Sequence, residues 1–351
     1  MTELTVNASG SYKVRLERGA LARLGALLPE KPLAAALVAE EAVDRLYGDR
    51  VAESLAAAGV RVERWTFPGG EEEKCGRTLF RLLEFLAEKK LSRSDILVAL
   101  GGGVTGDLAG FASAVYLRGV RFIQVPTTLL SMVDASVGGK TAVNLNAGKN
   151  LAGAFHQPSF VLIDPDALKT LPPETLADGV SEAIKCGAIA DKGLFDLVAS
   201  GFRLSDAEEV IFRCISMKRD LVERDERDTG ERQLLNFGHT VGHAIEKASA
   251  YAISHGKAVA LGMLIEARGA FCAGFAEEDC SGPIRRALEA NHLPTACPFP
   301  AEALLDTMLR DKKVRSGRIQ LALPRAIGRC ELYELDVDAL GGFLARAMEG
   351  A

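Results

Sequence analysis

Residues 95–107, Asp-Ile-Leu-Val-Ala-Leu-Gly-Gly-Gly-Val-Thr-Gly-Asp, place a short apolar run directly before a cluster of glycines. The run predicts a buried strand, and a helix is predicted to begin near Asp107. Glycine allows a backbone to approach an anion closely, and a helix N-terminus offers that anion free N–H groups. The spacing Gly101-x-Gly103-x-x-Gly106 fits the dinucleotide-binding pattern, although that pattern alone is a weak signal. Because a strand precedes the glycines and a helix follows them, we favour nucleotide binding over a simple tight turn.

The segments around this turn alternate between strand-like and helix-like patterns. Leu33–Val38, Phe122–Val125 and Phe160–Ile163 are apolar runs typical of buried strands. Amphipathic stretches, such as Val51–Ala58 and Thr78–Lys89, lie between them. This alternation predicts a mostly parallel sheet with helices on both of its faces.

The pattern changes after Asp164-Pro165-Asp166. Pro173 suits the first turn of a helix, and the periods that follow it are nearly all helical. The exception is a small hairpin, predicted near Arg318–Leu323 and Cys330–Tyr333. We therefore predict an α/β nucleotide-binding domain of the Rossmann-like type over residues 1–166. An all-α domain is predicted over residues 167–351.

Composition argues against several classes of protein. The chain has 351 residues and a net charge of −5, which does not suit a broad nucleic-acid surface. No apolar run reaches the ~18–20 residues of a membrane span, and the first residues show no signal-peptide pattern. The seven cysteines are scattered without a Cys-x-x-Cys pair, as in reduced cytosolic proteins. We expect a cytoplasmic protein that binds neither nucleic acid nor membrane.

Two more glycine-rich segments are candidates for binding anions. Pro68–Lys74 follows a strand-like segment and could close over a nucleotide, but taken alone it is better explained as an exposed acidic loop. Residues 138–150 contain Gly138-Gly-Lys140 and Gly148-Lys-Asn150. Such a density of glycine and lysine suits the presentation of ammonium groups and backbone donors to an anion. A solvated surface loop explains this segment about equally well.

The histidines point to a metal site. Three of the five in the chain are His239, His243 and His255, and the first two share one face of a helix. Glu182 and Lys185 lie on a helix predicted over residues 179–189, whose apolar neighbours indicate burial; a surface ion pair is the alternative. A catalytic zinc takes three protein ligands, such as two histidines and a carboxylate. The chemistry leaves open which histidine is not a ligand. Because the His-x-x-x-His spacing lacks an internal glutamate, a metalloprotease is disfavoured.

Cationic side chains are concentrated beside these segments of an acidic protein. They are Arg118, Lys218, Arg232, Lys312 and Lys313. Residues 218–232 are so dense in charge that a solvated helix face is the ordinary explanation. Their closeness in sequence to the histidines instead favours a small substrate that carries several negative charges.

Assembled in order, these segments resemble the 3-dehydroquinate synthase family over about residues 10–335. The matching stretches are Gly101–Asp107, Tyr116–Gly119, Val125–Thr128, Met132–Asp134, Gly138–Lys140, Gly148–Asn150, Gly153–Pro158, Ser181–Lys185, Asn236–His243, His255-Gly256 and Asp311–Lys313. So many stretches in the same order make the resemblance highly specific.

The resemblance implies that residues 167–351 form the metal- and substrate-binding domain, and it implies a role for each matching residue. A divalent metal, zinc or cobalt, would be bound by Glu182, His239 and His255. NAD would be bound by Gly69, Gly70, Glu71, Lys74, Gly103, Val104, Thr105, Gly106, Asp107, Thr127, Thr128, Lys140, Lys149, Ala167, Leu168, Lys169 and Thr170. The substrate would be bound by Asp134, Lys140, Asn150, Lys185, Lys218, Arg232, Asn236, His243 and Lys312 or Lys313. Arg118 would reach the site of a neighbouring subunit, which implies a homodimer.

The implied activity converts 3-deoxy-D-arabino-heptulosonate 7-phosphate to 3-dehydroquinate and phosphate, a step of the shikimate pathway. It combines a transient NAD-dependent oxidation, phosphate elimination, re-reduction and an intramolecular aldol cyclisation, so the enzyme would be a carbon–oxygen lyase. The chain departs mildly from the family pattern at Asp228, Thr229 and Gly69. Asp228 shortens a carboxylate, Thr229 replaces a glycine, and the family often has aspartate at the position of Gly69. These departures bear on local hydrogen bonds.

Three other functions compete with this interpretation. A related sugar phosphate cyclase would take a substrate without the carboxylate, and Arg232, Asn236 and His243 argue against it. A metal-dependent polyol dehydrogenase of the glycerol dehydrogenase type needs no phosphate or carboxylate pocket. The residues that argue against the dehydrogenase are Asn150, Lys185, Lys218 and Arg232. A non-catalytic nucleotide or metal sensor is disfavoured because a candidate group is present for every role.

Overall fold

The computed structural model describes residues 1–309 and 317–349. These residues form two compact units. Met1–Leu171 and Lys218–Arg227 belong to the first unit, while Pro172–Met217 and the chain from Asp228 onward belong to the second. The structure differs from the predicted division at residue 166 in grouping Lys218–Arg227 with the N-terminal part. The assignment of ligands to the two domains stays a prediction.

A seven-stranded sheet forms the centre of the first unit. The strands of this unit are β1 (Thr2–Asn7), β2 (Ser11–Leu16), β3 (Ala34–Glu40), β4 (Arg61–Phe67), β5 (Ile96–Gly101), β6 (Arg121–Pro126), β7 (Lys140–Leu145), β8 (Gly148–Phe155) and β9 (Phe160–Ile163). The order across the sheet is β1-β2-β9-β6-β5-β3-β4. Only the β1–β2 pair in this sheet of the described chain is antiparallel, so the prediction of a mostly parallel sheet is confirmed.

Helices connect these strands. They are α1 (Leu24–Leu27), α2 (Glu41–Val43), α3 (Asp49–Ala57), α4 (Gly76–Glu88) and α5 (Gly103–Val115). Short 3-10 segments occupy Ala20–Arg23, Glu71–Glu73, Tyr116–Arg118 and Pro165–Thr170, and π-helical segments occupy Asp44–Gly48 and Ser131–Ala135. Leu82 and Leu86 of α4 pack in one core cluster with Leu108 of α5 and Leu97 of β5. Central strands are apolar along their whole length because both of their faces are covered.

The glycine-rich turn joins β5 to α5. The helix begins at Gly103, earlier than the predicted start near Asp107, because Gly102 already has an extended backbone and caps it. A Cβ at Gly101 would lie 2.4 Å from Oγ1 of Thr105, so this position requires glycine. The N–H of Thr127 donates to the carbonyl of Gly101 at 2.9 Å and ties the turn to the end of β6.

Residues 140–155 form a β-hairpin, whereas the glycines and lysines of residues 138–150 predict a loop. β7 pairs with β8 in an antiparallel register that sets Lys140 opposite Phe155 and Thr141 opposite Ala154. Gly153 must be glycine, because a Cβ there would lie 2.2 Å from the carbonyl oxygen of Thr141. Strand pairing overrides the low strand propensity of glycine and lysine.

The segment Lys218–Arg227 is held to the first unit by carboxylates. Glu223 accepts a hydrogen bond from the N–H of Asn7 at 2.7 Å. Glu226 accepts from the N–H of Ser9 at 2.9 Å and from Nε2 of Gln157 at 2.9 Å. Part of this charged run therefore anchors the β1–β2 turn, which is a structural role.

The second unit is helical apart from one hairpin in its described part. Its elements are α6 (Pro173–Ala190), α7 (Lys192–Ala199), α8 (Ala207–Arg224, whose end belongs to the first unit), α9 (His239–Ala248), α10 (His255–Cys272), α11 (Ser281–Ala290), α12 (Ala301–Leu309), β10 (Arg318–Ala326), β11 (Arg329–Asp336) and α13 (Val337–Met348). A 3-10 segment occupies Glu231–Asn236. The predicted hairpin is confirmed as β10 and β11. No helix in the described residues is long and apolar enough to cross a membrane.

Helices α9 and α10 meet through glycines and one buried carboxylate. A Cβ at Gly262 would lie 2.0 Å from the carbonyl oxygen of Gly238, and one at Gly238 would lie 2.6 Å from Cγ of Met263. Gly238 also has a φ of 77°, a conformation that favours glycine. Glu266 of α10 accepts hydrogen bonds from the N–H groups of Gly238, at 2.6 Å, and Val241, at 3.0 Å. This fully buried carboxylate therefore caps the N-terminus of α9.

Substitution of Gly262 tests this contact. We expect Gly262→Ala to lower the free energy of unfolding by about 1–3 kcal/mol or more, because the added methyl group must separate two helix backbones. Gly282→Ala in α11 is the matched control, since its Cβ would have Nη1 of Arg286 as nearest neighbour, at 3.6 Å. The control should leave stability unchanged or raise it by up to about 1 kcal/mol. Urea unfolding followed by circular dichroism measures both, and equal stabilities would contradict the close contact.

Candidate functional site

Three predicted metal ligands lie together in the second unit. Glu182 comes from α6, while His239 and His255 are the first residues of α9 and α10. Oε1 of Glu182 lies 3.7 Å from Nε2 of His239 and 3.5 Å from Nε2 of His255. The three ligand atoms lie within 4.8 Å of one another. One carboxylate and two imidazoles in this arrangement fit a zinc-like ion that keeps a position open for substrate.

A glycine beside His255 allows α6 and α10 to approach. A Cβ at Gly256 would lie 2.3 Å from Cα of Asp178 and 2.5 Å from its carbonyl oxygen. Ser254, which precedes α10, donates a hydrogen bond from Oγ to Oδ1 of Asp178 at 2.7 Å. Because Glu182 follows Asp178 by one helical turn, this contact brings Glu182 to the start of α10.

Glu182 and Lys185 form a buried ion pair. Nζ of Lys185 lies 2.6 Å from Oε2 of Glu182, and the two side chains are 1% and 0% exposed. The alternative of a surface ion pair is therefore wrong. A buried carboxylate is unfavourable unless cations or donors surround it. Glu182 meets this requirement with the ammonium group of Lys185 on one oxygen and the imidazole ring of His255 on the other.

His239 favours the neutral form of its imidazole ring, which is the form that binds a metal. Burial, together with the positive charges of Lys185, His255 and His243, lowers the pKa of His239 well below its ordinary value. Its Nδ1 lies 3.2 Å from the carbonyl oxygen of Phe237. A proton on Nδ1 can be donated to that carbonyl, which leaves the lone pair of Nε2 directed toward the metal group.

His255 has the opposite protonation preference. Burial opposes its charge, but the carboxylates of Glu182 and Glu246 outweigh burial and raise the pKa of His255 to about 10. Its Nδ1 lies 3.5 Å from Oε2 of Glu246. The metal-free protein therefore holds a proton on His255 at neutral pH, which a metal would have to displace.

His243 lies beside this group. Its ring centroid is 5.5 Å from that of His239 and 6.3 Å from that of His255. His243, Glu246 and His255 form a second group whose ligand atoms lie within 4.8 Å of one another. The geometry alone therefore admits two overlapping ligand sets that share His255.

Three of the predicted nucleotide residues of the first unit, Glu71, Lys74 and Asp107, form one cluster of polar contacts. Nζ of Lys74 donates to Oδ2 of Asp107 at 3.0 Å and lies 3.4 Å from Oε1 of Glu71. Asn144 donates from Nδ2 to the carboxylate of Glu71 at 2.7 Å. Burial raises the pKa of Asp107, and the Lys74 ammonium group opposes this effect. The Lys74 side chain is only 6% exposed. An exposed acidic loop, the interpretation preferred from this segment alone, therefore does not describe all of Pro68–Lys74.

Glu40 belongs beside this cluster, although the sequence analysis did not select it. It ends β3, and its Oε1 accepts a hydrogen bond from Oγ1 of Thr105 at 3.2 Å. A Cβ at Gly69 would lie 2.6 Å from Oε2 of Glu40, so the Pro68–Lys74 segment runs directly over it. Burial raises the pKa of Glu40. The available signal was an acidic residue at the carboxyl end of a parallel strand, where nucleotides bind in such sheets.

Predicted substrate residues are distributed over both units. In the first unit, Lys218 donates from Nζ to the carbonyl oxygen of Asp134 at 2.6 Å and also contacts its carboxylate. Asn150 has a φ of 56°, and its N–H donates to Oδ1 of Asn144 at 2.9 Å. Lys140 and Lys149 lie on β7 and β8. In the second unit, Arg232 is 1% exposed and lies with Asn236 on the 3-10 segment before α9.

The remaining residues predicted to bind NAD, substrate or a neighbouring subunit lie in separate parts of the chain. Ala167, Leu168, Lys169 and Thr170 lie on one 3-10 segment, and the hydroxyl of Tyr47 donates to the carbonyl of Ala167 at 3.1 Å. Thr128 exchanges hydrogen bonds with Ser131. Arg118 is exposed at positive φ. Lys312 and Lys313 lie outside the described residues.

Two family models match the chain one after the other. The model described as 3-dehydroquinate synthase N-terminal matches residues 64–178. The model described as 3-dehydroquinate synthase C-terminal matches residues 179–314. Together they cover most of the chain.

Curated relatives are similar along nearly the whole length. The 3-dehydroquinate synthase of Enterococcus faecalis (strain ATCC 47077 / OG1RF) is 43% identical over 344 residues, which cover 96% of each chain. The 3-dehydroquinate synthase of Acaryochloris marina (strain MBIC 11017) is 40% identical over 358 residues, which cover 95% of this chain and 96% of the relative.

Solved structures with the same fold include cyclases and dehydrogenases. 2-Deoxy-scyllo-inosose synthase complexed with carbaglucose-6-phosphate, NAD+ and Co2+ is 26% identical, with a TM-score of 0.89 and coverage of 98% and 99% of the two chains. 2-Epi-5-epi-valiolone synthase from Streptomyces hygroscopicus subsp. jinggangensis 5008, with NAD+ and Zn2+ bound, is 27% identical, with a TM-score of 0.87 and coverage of 99% of each chain. A probable glycerol dehydrogenase from Sinorhizobium meliloti 1021 is 15% identical, with a TM-score of 0.66 and coverage of 96% of each chain, so it shares the fold alone.

The raised pKa of His255 predicts that zinc binding at Glu182, His239 and His255 would depend on pH. Because a metal needs the unprotonated ring nitrogen, uptake displaces one proton, and the apparent zinc affinity should rise about tenfold per pH unit from pH 7 to 9. Competition with a chromophoric chelator measures this, with the chelator's own pH dependence as control. An affinity that does not change with pH would contradict the raised pKa.

The same pKa predicts a change in stability. The pKa of His255 in the folded, metal-free protein, about 10, lies above its ordinary value of 6.5. Its contribution to the free energy of unfolding is therefore fully present below about pH 6.5 and is lost as the pH rises toward 10. Urea unfolding of the metal-free protein from pH 6 to 10 measures this loss. Stability that rises with pH over that range would contradict it.

Proposed function

Because this chain belongs to the 3-dehydroquinate synthase family, we propose that it converts 3-deoxy-D-arabino-heptulosonate 7-phosphate to 3-dehydroquinate and phosphate. The strongest structural support is the gathering of Glu182, His239 and His255 from three helices. The reaction is that of a carbon–oxygen lyase: an oxidation acidifies a C–H bond, phosphate leaves, the carbonyl is reduced again, and an aldol step closes the ring. We infer that it takes place in the cytoplasm.

Glu182, His239 and His255 would hold one divalent ion, zinc or cobalt. When bound, the ion acts as a Lewis acid that lowers the pKa of a substrate hydroxyl group. Support comes from the donor set itself and from the Co2+ and Zn2+ named in the two cyclase structures. Lys185 holds the second oxygen of Glu182 at 2.6 Å, so it would limit how that carboxylate turns. His243, the histidine outside this set, would contact the substrate.

The glycine turn of α5 and the cluster around Lys74 would hold NAD. When bound, NAD would supply a reversible hydride acceptor for the substrate alcohol and would not be consumed. The N-terminus of α5 offers N–H groups to the phosphates. Lys74, Thr127, Thr128, Lys140, Lys149 and the 3-10 segment from Ala167 to Thr170 would contribute further contacts. Glu40 would add an acceptor for a ribose hydroxyl group.

The cationic residues would bind the two anionic groups of the substrate. Arg232 suits the carboxylate because its guanidinium group can donate to both oxygens. Asn150 and the lysines suit the phosphate. Lys218 is held by Asp134, which fixes its ammonium group. Asn236 and Lys312 or Lys313 complete the proposed set.

We also infer a homodimer in which Arg118 reaches the neighbouring subunit. Arg118 is exposed, and its backbone and that of Leu117 have positive φ values of 64° and 49°. Such a backbone conformation costs of order 1–3 kcal/mol, and residues that adopt it are concentrated at functional sites. Analytical ultracentrifugation of the whole chain tests the dimer directly.

Phosphate release tests the reaction. With the heptulosonate phosphate as substrate, we expect release only when NAD and a divalent metal are both present. His239→Ala should lower kcat at least about 100-fold, because a metal ligand is lost. Net NADH release with glycerol, without phosphate release, would favour the polyol dehydrogenase. Turnover of a sugar phosphate without a carboxylate, but not of the heptulosonate, would favour a related cyclase.

Paired variants test the two binding roles. Arg232→Lys keeps the charge but loses the bidentate fork, so KM for the substrate should rise about 10- to 100-fold while the Kd of NAD stays unchanged. Lys149→Ala should raise the Kd of NAD with a smaller effect on substrate KM. Initial rates and NAD titration by fluorescence quenching measure these changes. Equal losses of NAD and substrate binding in Arg232→Lys would contradict the carboxylate role.

A further inference from the structure

His255 lies between two buried carboxylates that face different nitrogens of its ring. Nε2 is 3.5 Å from Oε1 of Glu182, and Nδ1 is 3.5 Å from Oε2 of Glu246. Glu182 belongs to α6 and Glu246 to α9, so the two contacts approach the ring from separate helices. An imidazole that binds a metal through one nitrogen needs a partner for the other, and a carboxylate is a common one.

Glu246 is placed for this task by its helix. It follows His239 by two turns and His243 by one, so the three side chains share one face of α9. Its side chain is 3% exposed. Burial of a carboxylate is unfavourable without a donor, and Nδ1 of His255 can supply one.

We propose that Glu246 is a positioning residue that accepts the Nδ1–H of His255 and thereby directs the lone pair of Nε2 toward the metal. The inference rests on the proposed ligand set of Glu182, His239 and His255. The other group in the structure, His243, Glu246 and His255, would instead make Glu246 a ligand. That set would use only residues of α9 and α10 and would leave Glu182 with no metal to bind. The two arrangements differ in what Glu246→Gln does, because a carboxamide oxygen still accepts a hydrogen bond but is a poor metal ligand.

Metal affinity, measured without any turnover, provides the test. We expect Glu246→Ala to weaken zinc binding roughly 10- to 100-fold in a chelator competition while the stoichiometry stays at one metal per chain. Glu246→Gln should recover most of the affinity. The Co2+-substituted protein should show the same d–d absorption intensity in Glu246→Gln as in the unchanged chain, because the ligands are the same. Glu289→Ala on α11, an exposed helical glutamate, is the matched control and should bind zinc normally.

The outcomes separate this inference from the proposed function. Unchanged zinc affinity in Glu246→Ala, with loss in Glu182→Ala and His255→Ala, would overturn the role of Glu246 and leave the ligand set intact. Loss of zinc in Glu246→Gln, with full binding in Glu182→Ala, would show that the ligands are His243, Glu246 and His255 and would overturn both. If Glu246→Ala does not fold, as judged by circular dichroism of the metal-free protein, Glu246→Gln decides by its affinity and Co2+ spectrum.

Discussion

The buried carboxylate of Glu182 imposes the central requirement on the second unit. A negative charge without water must be surrounded by cations or donors. Lys185 supplies one from the same helix, and the protonated ring of His255 supplies another from α10. Neutralisation of this charge therefore links α6 to α10, and the neutral ring of His239 from α9 lies 3.7 Å from the same carboxylate. A divalent cation would compensate this negative charge more fully. The buried carboxylate of Glu182 therefore contributes both to the packing of this unit and to its proposed metal site.

The sheet could be predicted from the sequence because its central strands are covered on both faces. Ile96–Gly101 and Phe160–Ile163 are buried at every position, and such strands are apolar runs of the expected length. The β7–β8 hairpin could not be predicted, since its glycines and lysines have low strand propensity and its stability comes from pairing across the hairpin. The start of α5 was placed too late because glycines usually indicate a turn rather than the first turn of a helix.

The candidate site could be predicted where residues with the same chemical function lie close together in the sequence. His239, His243 and His255 lie close enough along the chain to suggest a metal site at once. Glu40 and Glu246 give no such signal, because each is a single carboxylate whose role depends on a partner distant in sequence. Sequence spacing also left open which histidine is not a ligand, and the structure contains two overlapping groups of possible ligands that share His255.

The cap that Glu266 places on α9 has a consequence for the order of folding. A helix of 10 residues that starts after a glycine has little stability by itself. Its N–H groups at Gly238 and Val241 find their acceptor only after α10 has docked. This cap on α9 can therefore form only after the chain as far as Glu266 has been synthesised. His239, the first residue of α9, therefore depends on α10 for the support of its backbone.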